Sequence, residues 1–93
     1  MNKKRPVLVI SRTIYNKRTG FIIVCPITST ERKDYISIPD EYTTNGFIDY
    51  IQMRSIDYTS KNREVTFIEK LSLDVFGQVA QRIESVFGFN KLF

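Results

Sequence analysis

Arg5, Thr28 and Ser29 are the side chains whose placement could do chemistry. Arg5 opens the run Arg5-Pro6-Val7-Leu8-Val9-Ile10-Ser11, and Thr28 and Ser29 close the run Phe21-Ile22-Ile23-Val24-Cys25-Pro26-Ile27-Thr28-Ser29. An apolar run ending in a polar group is how a strand presents a reactive side chain. A guanidinium donates two charge-assisted hydrogen bonds at once and a nearby hydroxyl adds a third, so this set suits negative charge developing on oxygen. Taken singly, Arg5 reads as a solvated basic residue after Lys3 and Lys4, and Thr28 as a loop-capping hydroxyl. The case for a site rests on their combination.

The absence of histidine narrows the chemistry. It excludes ribonuclease chemistry on paired imidazoles, Ser-His and Cys-His nucleophiles and the common zinc sites. Whatever reaction occurs runs on Arg, Lys, Tyr, Thr, Ser or carboxylates. Cys25, inside an apolar run, reads as a small buried hydrophobe. Asp40-Glu41 and the Glu31/Asp34 pair read as solvated loop carboxylates, and Lys61 to Arg63 as a wet turn that brushes phosphates at most.

The elements that must position Arg5 and Thr28 follow from pattern. Arg5 to Ile10 has no alternation and reads as a buried strand, with Pro6 near its start, where a missing N–H is tolerated. Phe21 to Ile27 is a second strand. Between them Thr13-Ile14-Tyr15 forms one helical turn and Asn16 to Gly20 a turn. Antiparallel pairing of the two strands sets the start of the first beside the end of the second, which makes Arg5 and Thr28 neighbours. Tyr35 to Ile38 is a short strand stopped by Pro39. Phe47 to Arg54 is a third major strand, with Ile48, Tyr50, Gln52 and Arg54 on one side. Asp57 to Asn62 is a turn, and Glu64 to Phe67 a short strand. Ser72 caps a terminal helix carrying Phe76, Val79, Ala80, Ile83 and Phe87 at spacings of three and four, stopped at Gly88.

The 93 residues make one domain, 1–93, which buries about 60 to 65% of its unfolded surface in a single core. The formal charge of +4 and pI near 9.4 favour a polyanion or an acidic protein partner. One cysteine permits no internal disulfide, and neither a cleavable signal nor a membrane-spanning run is evident, so a cytoplasmic protein is the simplest reading. Periodicity yields a small, mainly antiparallel α+β domain.

Five blocks in order carry a family resemblance: Arg5 to Ser11, Tyr15-Asn16, Thr19-Gly20, Pro26-Ile27-Thr28-Ser29 and Gln52-Met53-Arg54-Ser55-Ile56-Asp57. Together they resemble the PemK/MazF toxin endoribonucleases. The resemblance implies an SH3-like, partly open antiparallel barrel with a C-terminal helix. It also implies a homodimer that cleaves single-stranded RNA by attack of a ribose 2′-OH on the adjacent phosphate, giving a cyclic phosphate and a 5′-OH without metal or cofactor. By the same carry-over Arg5 and Thr28 are catalytic, with Arg5 chiefly stabilising transition-state charge. Ser29, Gln52, Arg54, Ser55 and Tyr15 contact RNA; Tyr15 and Tyr50 offer stacking faces.

The implied partners are a small acidic antitoxin and, only through it, operator DNA. Two departures stand out. Ile51 occupies the place where the family has Asp or Glu, so base preference does not carry over. Only Met1 to Lys4 precede Arg5, so the family's first strand and gating loop are expected to be missing and cleavage weakened. The alternative reading is a non-catalytic interaction module on the same barrel, either a gyrase inhibitor like CcdB or a truncated antitoxin-binding remnant.

Overall fold

The computed structural model describes residues 5–60 and 65–87. The strand β2 (Phe21–Thr28) organises everything else. Before it come β1 (Val7–Val9) and α1 (Thr13–Thr19); after it come β3 (Ile36–Ser37), β4 (Phe47–Ile48), β5 (Arg54–Asp57) and α2 (Leu73–Val86). The sheet runs in the order β1, β2, β4, β3, and β5 also pairs with β2. β1 flanks β2 on one side. On the other side β5 covers its first half and β4 its end, all antiparallel. The result is a half-barrel of antiparallel strands with a helix at the C-terminal end, the mainly β fold expected.

The core explains the closure. Cys25, Ile36, Ile38, Ile48, Tyr50 and Val79 form one buried cluster, with Leu8, Ile10, Ile27 and Ile83 packed against it. Val79 from α2 is fully buried among strand residues, so the helix plugs the half-barrel. Ser72 caps α2 as its sequence demands, its side chain accepting from the Val75 N–H at 3.4 Å. Burial pushes the Cys25 thiol up to about 11, with the Asp49 carboxylate adding to the shift, so it behaves as a packed hydrophobe.

Several local expectations are corrected. α1 is a helix of seven residues, longer than one turn, because Gly20 (φ +76°) adopts the left-handed conformation that ends a helix and returns its N–H to the Asn16 carbonyl. β1 and β3 are shorter than their apolar runs. The strand expected at Glu64 to Phe67 does not form among the described residues 65–67, where Phe67 is 79% exposed. Gly88 and the run Lys61 to Arg63 lie outside the described residues, and Phe87 is the helix C-cap.

The largest correction concerns Phe47 to Arg54, expected as one strand and observed as β4 and β5 with a turn between. Asp49 donates its N–H to the Pro26 carbonyl at 2.9 Å. Pro26 has no N–H to give back, so the ladder loses a bond at that step. The chain then leaves the sheet and rejoins it where Arg54 pairs with Val24. Residues 50–53 stand against Cys25 alone. The Asp49 carboxylate, 4% exposed, holds the excursion by accepting from the Ile51 and Gln52 N–H groups at 3.1 and 3.2 Å.

Candidate functional site

The ladder between β1 and β2 fixes what faces what. Val7 pairs with Pro26, Leu8 with Cys25 and Val9 with Val24. The register continues past β1, since the Ile27 N–H reaches the Pro6 carbonyl at 3.4 Å. One further step places Arg5 across from Thr28, the juxtaposition that antiparallel pairing implies. Directly opposed residues share a face of the sheet. Leu8, Cys25, Ile27, Ile48 and Ile36 point into the core, so Arg5 and Thr28 lie on the other face.

The same counting extends across β4 and β3. Thr28 pairs with Phe47 and Phe47 with Ser37, which makes one outward row of Arg5, Thr28, Phe47 and Ser37. The next row on that face is Val7, Pro26, Asp49 and Tyr35. Strand spacing puts Tyr35 about 12 Å from Thr28, two strands over and two residues along.

Thr28 is tightly placed. Its Oγ1 accepts the Thr30 N–H at 3.1 Å, which fixes the chain as it leaves β2 and leaves the hydroxyl's own hydrogen for donation. Behind it, Gly46 (φ +131°) backs onto its carbonyl. A Cβ at Gly46 would stand 2.6 Å from the Thr28 carbonyl oxygen, so only glycine lets that loop close against the strand. Arg5 is exposed at the open end of the row, and Ser29 is exposed one residue beyond Thr28.

Gln52 stands on the turn after Asp49, on the rim of a groove of about 550 Å³ lined by Arg32, Lys33, Asp34, Tyr35, Ile51 and Gln52. Two cations, an amide, an aromatic ring and an aliphatic side chain thus converge beside the row that holds Thr28. Burial, and then the neighbouring Asp49 carboxylate, push the Tyr35 phenol above its ordinary range, so the ring is uncharged at neutral pH. Sequence reasoning passed over Arg32, Lys33 and Tyr35. Their signal lay in the register, which no single segment encodes.

The remaining expected contacts divide. Arg54 pairs with Val24 and falls on the Thr28 face, about 14 Å away along β2. Ser55, the next residue in β5, points to the opposite face. Tyr15 lies on α1, at the far end of β2, roughly 23 Å along the strand from Thr28. Tyr50, 6% exposed, belongs to the core and offers no stacking face. The structure thus brings Arg5, Thr28 and Ser29 to one end of a sheet face beside the groove that Gln52 rims, with Arg54 at a distance and Tyr15 and Ser55 apart. Among the described residues no three Cys, Asp or Glu side chains gather as they would around a metal ion.

Comparison with known proteins places this geometry. Residues 1–87 match the model of the PemK-like, MazF-like toxins of type II toxin–antitoxin systems. A MazE–MazF crystal structure from Deinococcus radiodurans superposes with a TM-score of 0.81 at 28% identity, covering 94% of this chain and 88% of that one. A second crystal form of MazE–MazF from that organism gives 0.78 at 29% identity, covering 90% and 81%. An endoribonuclease solved with its cognate antitoxin from a mycobacterial species gives 0.78 at 12% identity over 95% and 84%, a likeness of fold. No curated protein sequence matches significantly. With most of its length inside the family match and its half-barrel superposing on MazF, the chain belongs to the PemK/MazF family of type II toxin–antitoxin toxins.

Proposed function

We propose that the protein is a metal-independent endoribonuclease that cleaves single-stranded RNA, with Arg5 and Thr28 as its catalytic pair. The observation that supports this reading is the β1–β2 register, which, carried one step past Pro6 and Ile27, brings the backbone positions of Arg5 and Thr28 opposite one another. In the reaction the ribose 2′-oxygen bonds to phosphorus and passes its proton to water. The bond from phosphorus to the 5′-oxygen breaks, and that oxygen takes a proton from water. Charge builds on the non-bridging oxygens meanwhile. Arg5 donates two hydrogen bonds to it and Thr28 a third, which supplies the positive charge and donors a metal ion would otherwise bring. A guanidinium offers N–H donors and no acceptor, so Arg5 serves as a donor and not as the base.

The groove beside Gln52 receives the chain of the substrate next to the cleaved bond, and Ser29 adds a hydroxyl near the phosphate. The working form is a cytoplasmic homodimer silenced by an acidic antitoxin, which suits a chain of net charge +4. Operator DNA is met only through that antitoxin. Among the described residues no helix is long and apolar enough to cross a membrane.

The test incubates the protein with a long RNA in EDTA and maps the new ends, comparing the parent with Arg5→Ala and Thr28→Ala. The expected result is 5′-hydroxyl ends and a fall of about 10²-fold or more in rate for either variant. Cleavage unchanged in both variants would remove the site assignment.

A further inference from the structure

The groove formed by Arg32, Lys33, Asp34, Tyr35, Ile51 and Gln52 has a composition that Arg5 and Thr28 do not explain. Its volume, about 550 Å³, falls in the range of small-ligand sites. Its walls are pre-set. Asp49 fixes the backbone of Ile51 and Gln52 from below, and Tyr35 sits across from Asp49 in the ladder, one step beyond Ile36 opposite Ile48. Ile51 is 61% exposed and the Gln52 side chain is exposed too, so neither is committed to the core.

We infer that this groove is a nucleobase subsite in which the Tyr35 ring stacks one base of a single strand, Ile51 covers its edge, Gln52 hydrogen-bonds it, and Arg32 and Lys33 take the adjoining phosphate. Each part fits what unpaired nucleotides offer. Every base has a π-face that an aromatic ring can meet, and a Gln amide both donates and accepts toward a base edge. Exposed cations track the backbone. Asp34, also in the lining, can accept from an exocyclic amino group, which favours an amino-bearing base over uracil. The position fits as well: about 12 Å from Thr28 on the same face, the subsite holds a base near the reacting phosphate without being that phosphate's own nucleotide. An acidic peptide would meet the two cations through its carboxylates, but it lacks the succession of flat bases on phosphates that the ring, the amide and the cations together match.

This inference rests on the RNA reading above, and the test keeps their failures apart. Fluorescein-labelled seven-nucleotide oligomers of cytidine, adenosine and uridine are titrated against Thr28→Ala protein and followed by anisotropy, with the oligomers checked on gels for cleavage. Into that background go Tyr35→Ala, Tyr35→Phe and Gln52→Ala, each checked by thermal melting. Tyr35→Ala should weaken binding about tenfold or more, Tyr35→Phe should stay within about twofold, and the cytidine and adenosine oligomers should bind more tightly than uridine. Tyr35→Ala within about twofold of its parent, or Phe as damaging as Ala, overturns the stacking role. Should the parent protein bind through Tyr35 yet cut no RNA, the catalytic reading fails and the subsite stands.

Discussion

Thr28 is held from three directions, and each has a separable cost. Its oxygen takes the Thr30 N–H, its backbone pairs with Phe47, and Gly46 presses on its carbonyl. If the hydroxyl donates to a developing oxyanion, Thr28→Ser should keep most of the cleavage rate. Thr28→Val, of nearly the same shape, should lose about 10²- to 10³-fold in kcat. Equal rates for Ser and Val, measured on a defined RNA, would mean that shape alone matters. Gly46→Ala tests the other side of the same residue. The left-handed φ and the 2.6 Å clash with the Thr28 carbonyl together should destabilise the fold by about 2 to 3 kcal/mol, read as a lower urea midpoint.

At the scale of elements, the loop carrying Gly46 is bolted to the entry of α2. Glu69 accepts from the Thr43 and Thr44 N–H groups at 3.2 and 2.7 Å, and the Ser72 N–H donates to the Tyr42 hydroxyl at 2.8 Å. The Thr44 side chain, then the N–H groups of Thr44 and Thr43, hold the Glu69 carboxyl below its ordinary value of 4.5. A depressed carboxyl stabilises the fold above its unfolded pKa, and that contribution fades as pH falls through the lower folded value. Glu69→Gln should therefore lower the urea midpoint at pH 7, and the gap to the parent should close as pH falls from 4.5 through the lower folded value. A gap constant with pH would show that ionised Glu69 contributes nothing. In α2 itself, a Cβ at Gly77 would meet nothing within 4 Å, so Gly77→Ala should raise stability by about 0.5 to 1 kcal/mol, visible as a higher Tm.

Elements that close on themselves were legible in the sequence. α2 showed its cap and its three- and four-residue spacing, and β1 and β2 showed unbroken apolar runs, so the Arg5 and Thr28 juxtaposition followed from antiparallel pairing alone. What escaped was set by residues far apart in the chain. Phe47 to Arg54 alternates well enough for one strand, and it breaks because Pro26, on another strand, cannot return a hydrogen bond to Asp49. That break sends Tyr50 into the core and Gln52 to the rim. Tyr35 was invisible as a lining residue of the groove for the same reason, because a short strand ending at Pro39 does not disclose its partner.

For the whole molecule the governing quantity is charge, and it separates the two kinds of contact proposed for the groove. A net charge of +4 draws any polyanion, so binding of RNA alone says little about where it lies. The salt dependence says more. Each phosphate neutralised on a single strand contributes about −0.7 to the slope of log K against log salt. Arg32→Ala with Lys33→Ala should therefore make the slope shallower by about 1.4 if both cations meet phosphates. Tyr35→Ala should lower affinity at every salt concentration and leave the slope alone, because stacking releases no counterions. Anisotropy titrations from 50 to about 300 mM potassium chloride, on the Thr28→Ala background, read both quantities at once. An unchanged slope in the double variant would move the phosphate path off this groove and toward the Arg5 end of the row.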